Sequence, residues 1–286
     1  MFTRRPFLSI YALFSLFLSL SFCVNAVERD GIHVSLGGFY SNIESSIGSK
    51  LIGGNKDIQG QASFESDLLL EDTSTQPLLE LEWNFEQLHL LSVNYFSLDR
   101  EGSVLNIAEL PMGSEVFKAG TLLNTRLDLN LWQLRYGYAF HQDAASEWGV
   151  TGGLHLINFA IDFNGIVAAA GSGGGGSADV SAATGFSNTV PLPNIGTFYN
   201  YKLSNNLRAR LDAQYFDISV DTLDARMIAL DAGIEYYPEP NISLYAGLSY
   251  YDVTARYTQD LEAAVDIDWD IKLKYWGPQL AVGYKC

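Results

Sequence analysis

Leu207-Arg208-Ala209-Arg210-Leu211-Asp212-Ala213-Gln214-Tyr215 changes character at every step. So do Ile228-Ala229-Leu230-Asp231-Ala232-Gly233-Ile234-Glu235-Tyr236 and Ile242-Ser243-Leu244-Tyr245-Ala246-Gly247-Leu248-Ser249-Tyr250. Successive side chains of a strand point to opposite faces, so each stretch has one apolar face and one that is small, polar or charged. Working outward, Ile32 to Tyr40 and Leu79 to Phe85 repeat the pattern. The alternation predicts ten strands near 31–47, 76–85, 87–100, 123–140, 147–165, 187–203, 206–220, 223–237, 242–258 and 266–285, with phase slips read as bulges near Leu131-Trp132 and Gly277-Pro278.

The connections form two classes. Phe85-Glu86-Gln87, 141–146, 203–206 and 238–241 are tight turns, whereas 48–75, 101–122, 165–187 and the shorter 258–266 are longer and polar, with the connection near Val220-Asp221-Thr222 the one short exception on the long side. Asp67-Leu68-Leu69-Leu70 lies within the first long one, which is expected to fold over the mouth or extend the first hairpin.

Apolar residues make up 48% of the chain and aromatics 13%, yet no segment after the N-terminus is a candidate transmembrane helix. In lipid every backbone group must be satisfied internally, which leaves a closed barrel for a helix-free membrane protein. The expected fold is all-β, a closed antiparallel up-and-down transmembrane barrel of about ten strands, within a range of roughly eight to twelve, with short turns on one side and long loops on the other. Phe85, Phe140, Trp148, Tyr201, Tyr236 and Tyr284 fall on apolar faces beside the short turns, as an interfacial aromatic ring requires. Tyr95, Tyr215, Tyr250 and Tyr275 are expected in the opposite ring.

At the N-terminus, Arg4 and Arg5 precede an apolar run from Pro6 to Phe22 that closes on Val24-Asn25-Ala26. This is the pattern of a Sec-type signal peptide cleaved after Ala26, leaving residues 27–286 as one barrel domain. The leader takes two arginines and no acid with it, so the formal charge moves from −16 to −18. That charge argues against nucleic acid as a partner. Only Cys286 survives cleavage, so stability must come from pairing and packing.

The closing stretch Gly277 to Cys286, with Leu280, Val282 and Tyr284 alternating, resembles the last strand of Gram-negative outer-membrane proteins. Cys286 stands where those strands carry a terminal aromatic. Asn94 to Arg100 and Arg135-Tyr136-Gly137-Tyr138 look similar to segments of uncharacterised, porin-like small outer-membrane barrels. The resemblance implies an outer-membrane location, contact with outer-membrane lipid and lipopolysaccharide, and insertion by the barrel-assembly machinery. It implies no activity, and the extracellular ligand stays unassigned.

Glu80, Glu82, Arg135, Arg208, Arg210, Asp212, Asp231 and Glu235 fall on the inward faces. A barrel of about ten strands is little wider than the eight-stranded size that side chains just fill, so these charges should pair and close the lumen. A structural or surface-interaction role is therefore expected, with a small passive pore as the alternative. A surface hydrolase of omptin or lipid-A-modifying type ranks third, because His33, His89 and His141 fall near the short-turn end and His155 mid-strand. Asp266, Asp268 and Asp270, near Asp252, Asp260 and Glu262, read as a solvated acidic rim rather than a cation site. The run Gly171-Ser172-Gly173-Gly174-Gly175-Gly176 lacks the Lys-Ser/Thr of a phosphate loop and reads as an external loop. No cofactor is expected, and no catalytic or metal-binding residues are assigned.

Overall fold

The computed structural model describes residues 30–52, 58–105, 110–112, 115–117, 122–168, 179–220, 222–261 and 265–286. The N-terminal segment read as a signal peptide, the Gly-rich run and Glu262 lie outside them. Ten long strands make the wall: β1 (Gly31–Ile52), β3 (Thr73–Phe85), β4 (His89–Leu105), β7 (Leu122–Gln142), β8 (Ser146–Ala168), β9 (Asp179–Ser204), β10 (Leu207–Val220), β11 (Leu223–Glu239), β12 (Ile242–Leu261) and β13 (Val265–Lys285). Each pairs antiparallel with its neighbour, and β1 pairs with β13 from His33↔Lys285 to Ile52↔Asp266, which closes the cylinder. Three short strands, β2 (Ile58–Ser63), β5 (Leu110–Met112) and β6 (Glu115–Phe117), belong to the long connections. No described helix is long and apolar enough to cross a membrane.

A tilted strand crosses hydrocarbon in about 9–11 residues. β7 has 21 and β9 has 26, so the wall is far taller than a bilayer requires. The side chains show where the surplus lies. On β7 the outward positions Trp132, Leu134, Tyr136, Tyr138 and Phe140 are exposed and apolar, but Asn124, Arg126, Asp128 and Asn130 above them are polar. β10 switches from Leu211 and Tyr215 to Asp217 and Ser219, and β13 from Val282, Leu280 and Trp276 to Lys274 and Lys272. The apolar band is therefore one bilayer tall and starts at the short turns. Everything above it is a β-walled extension.

Inside, the order is reversed. Arg135 and Gln133 line the lower lumen from β7, whereas Leu123, Leu127 and Leu129 line the upper lumen from the same face of the same strand. Inward positions of β7 keep one parity from Leu123 to Ala139, so the expected bulge at Leu131-Trp132 is absent. The apolar residues change face there while the backbone register continues. β13 does the same at Gly277-Pro278, with Leu280 and Val282 outward below and Trp269, Leu273 and Tyr275 buried above. Tyr275 is therefore a lumen residue, and Trp276 holds the girdle position expected of it. The register shifts that do occur sit at the short-turn end, at Leu207/Arg208, Ala139/His141 and Tyr236/Glu239.

Candidate functional site

The lower lumen holds a cavity of about 920 Å³. Its lining runs from the short turns (Gln87, Ala145, Asn206, Pro240) up to Phe39, Phe96, Tyr251 and Tyr275. Phe96 stacks on Tyr275 at 5.4 Å and Tyr275 on Tyr251 at 4.6 Å, and this aromatic layer is the cavity's ceiling.

Strand parity delivers the expected charges to this cavity, and their contacts are uneven. Arg135 donates to Asp212 through Nη1 and to Ser92 Oγ through Nε at 3.2 Å. Arg208 donates through Nε to Glu235 Oε2 at 3.0 Å and through Nη2 to Tyr237 Oη at 2.9 Å. Arg210 lies 3.5 Å from Glu80, 3.7 Å from Glu82 and 3.8 Å from Glu235, with its guanidinium 5.5 Å from the Tyr245 ring centre. Among the described residues Asp231 meets no cation: Tyr245 Oη donates to it at 2.5 Å, Ser249 Oγ at 2.6 Å, and Gln279 through its amide. Asp212 and Asp231 are direct cross-strand partners, and separate donor sets keep two like charges tolerable on one rung. The charge pattern alone missed Ser92, Tyr237, Tyr245, Ser249 and Gln279. Inward parity was the signal that would have found them.

The histidines separate as follows. His33 Nε2 lies 2.9 Å from Ser243 Oγ and 3.9 Å from Glu235 Oε1. A relay needs the carboxylate on the other ring nitrogen to orient the base. Here Nδ1 faces Ser35 at 3.5 Å, so the trio has the wrong connectivity for Ser243 to be activated. His155 is 1% exposed, and its Nδ1 has no hydrogen-bond partner among the described residues. His89 and His141 stand at the short-turn end, against Tyr136 and Asp143. Asp268 accepts from Thr258 at 2.7 Å and Asp270 from Arg256 at 3.4 Å, while of Asp260 and Asp266 only the backbone is described. No group of three metal-ligating side chains occurs among the described residues.

A segment of the chain itself packs into the upper lumen. The segment between β2 and β3 turns inward and buries Phe64, Leu68 and Leu70 against Ile47, Leu123, Leu127, Ile161, Phe163 and Trp269. Arg100, 3% exposed, holds it from β4, donating to Glu65 Oε1 at 2.7 Å, to Ser45 Oγ at 2.9 Å and through Nε to the Glu71 carbonyl at 2.9 Å. Gly102 supplies the close approach, since a Cβ there would lie 2.5 Å from Leu68 O and 2.9 Å from Leu70 N. The first long connection thus extends the first hairpin, through β2, and also enters the mouth.

A closed ten-stranded cylinder with a one-bilayer apolar band, aromatic rims and a long-loop side defines an integral β-barrel of the outer-membrane type. No protein-family model matches the chain, and no curated protein matches it in sequence. Among solved structures it is similar to the transport unit of the autotransporter AIDA-I from Escherichia coli, at 11% identity over 96% of this chain and 97% of that one, with a TM-score of 0.39. It is also similar to the Pseudomonas putida toluene transporter TodX, at 9% identity over 93% and 91%, with a TM-score of 0.34. The attachment invasion locus protein Ail of Yersinia pestis matches at 12% identity over 90% and 99%, with a TM-score of 0.31.

Proposed function

We propose that the protein is an axially closed outer-membrane barrel whose β-walled extension stands outside the cell as a structural or interaction element. It is exported by a cleaved signal peptide, inserted by the assembly machinery and set among phospholipid and lipopolysaccharide. What supports the reading is apolar packing at two levels of the lumen. The inward segment at Phe64–Leu70 fills the mouth, and the aromatic layer of Phe39, Phe96 and Tyr275 lies beneath it. The ion pairs of Arg135, Arg208 and Arg210 with Glu80, Glu82, Asp212 and Glu235 then offset most of the charge of a chamber open to the short-turn side, and hydroxyls and an amide hydrogen-bond Asp231. Fewer than two apolar layers would favour the passive pore.

Reconstitution in planar bilayers tests this. Folded protein, identified by its shift in gel migration on boiling, is expected to give no steady conductance. Reproducible channels of uniform size would overturn closure and establish the pore.

A further inference from the structure

Among the described residues two ladders of the wall stop well short of their strand ends: β3–β4 above Leu78↔Phe96, where Arg100 and Gly102 of β4 meet the inward segment instead, and β9–β10, whose gap no other segment is seen to line. β9 and β10 pair from Leu207↔Ser204 up to Tyr215↔Ile195 and stop there. Beyond that rung β9 stays paired with β8 as far as Asp179, and β10 with β11 as far as Val220↔Leu223. Continued register would set Phe216–Val220 against 194–190, and none of those rungs forms. The sequence supplies the reason. Alternate residues of a strand present their N–H and C=O groups to the same neighbour. The ladder to β8 runs on past Pro191 and Pro193, so the two missing N–H donors are those that β10 would need.

The seam opens at the membrane's outer edge. Tyr215, at its foot, is 42% exposed on the girdle level, and Ile195 opposite is 69% exposed. Behind the seam the lumen wall is apolar: Leu192, Phe216, Ala225 and Met227 are buried, with Ile157, Val190, Ile218 and Val253 packed on them. Side chains alone therefore close the gap, and parting it breaks no backbone hydrogen bond.

We propose that the β9–β10 seam is a lateral portal admitting an acyl chain of an outer-leaflet lipid to the apolar upper lumen. The occupant follows from position and chemistry. The foot of the seam, at Tyr215 and Ile195, adjoins hydrocarbon, the described lining behind it offers no charge, and a partner strand would find two of its acceptors without donors. The portal rests on the membrane placement above but not on axial closure, because a barrel shut along its axis can still admit lipid from the side.

The test places a benzophenone amino acid at Phe216 (lumen, seam), Leu129 (lumen, fully paired wall) or Leu211 (lipid face). The barrels are reconstituted in vesicles of phospholipid with radiolabelled acyl chains and irradiated. Lipid capture at 216 should exceed that at 129 by at least about fivefold, since a sealed wall excludes lipid. In Pro191→Val/Pro193→Val, which restores both donors, capture at 216 should fall to the level at 129 while capture at 211 persists. Equal capture at 216 and 129 overturns the portal, as does a 216 signal unchanged by the valines or one that crosslinks only to a second protein chain. Absence of capture at 211 would instead overturn the membrane placement. The comparison of 216 with 129 needs only the native barrel, so it stands whatever the valine variant does.

Discussion

Below the outer girdle this barrel is greasy outside and charged within; above it, the two faces exchange roles on the same strands. β7 shows the contrast in one chain segment: Leu134 and Arg135 sit on the outer and inner faces below, Asp128 and Leu127 above. One backbone and one register thus serve two solvents. In hydrocarbon the wall must be apolar outward, and the narrow lumen can hold polar groups because they satisfy one another. In water the extension must bury its apolar face, and the only place to bury it is the lumen. The lower half is consequently stabilised by lipid and internal pairing, the upper half by a packed core of the soluble kind. The Phe64–Leu70 segment belongs to that second logic, completing a core that the wall alone leaves short of atoms.

Removing the same kind of atoms from the two halves should separate these logics. Leu127→Ala opens a void in the upper lumen beside Phe64 and Leu68, and should cost about 2–5 kcal/mol in urea unfolding from vesicles, as large-to-small core changes do. Insensitivity at this position would mean that the upper lumen is not a core at all. Leu211→Arg puts a charge on the lipid face midway up the band, and should cost about 2–4 kcal/mol by the same measurement. Asn164→Arg, outward on β8 above the girdle, should change stability by less than about 0.5 kcal/mol. Equal penalties at 211 and 164 would erase the boundary drawn between them.

Alternation made the ten strands, their order and the short-turn side legible from the sequence, because period 2 and turn chemistry are local properties. It did not reveal which solvent each face meets. The slips at Leu131-Trp132 and Gly277-Pro278 are genuine changes in the pattern, but a change of face by the apolar residues and a bulge in the backbone look alike in one dimension. Tyr275 was misplaced for the same reason: its parity matches Leu273, not Trp276. The start of β9 was set too late, because 179–187 carries no clear alternation and read as loop. The lumen charges were readable by parity, whereas their partners depend on three-dimensional neighbours, which is why Asp231 joins hydroxyls and not an arginine. Pro191 and Pro193 were visible, but their effect depends on which neighbour each strand edge faces.

The smallest test concerns the short-turn end, where local chemistry rather than packing holds the chain. Asp143 caps the turn between β7 and β8, accepting from the N–H groups of Ala145 and Ser146, each at 2.7 Å, and from the Ser146 hydroxyl at 3.0 Å. The Ala145 amide, then that of Ser146, favours the ionised carboxyl, and its pKa falls to about 2. The unfolded value is about 3.9. A carboxyl depressed on folding adds stability that is complete above the unfolded value and drains away as pH falls toward the folded one. The turn should therefore stay capped at pH 4 and loosen only as pH approaches 2. Carboxyl chemical shifts of Asp143 should report a midpoint near 2, moving upward in Ser146→Ala. A midpoint near 4 in the native barrel would show that this end, like the outer one, is held by its surroundings and not by its own turn.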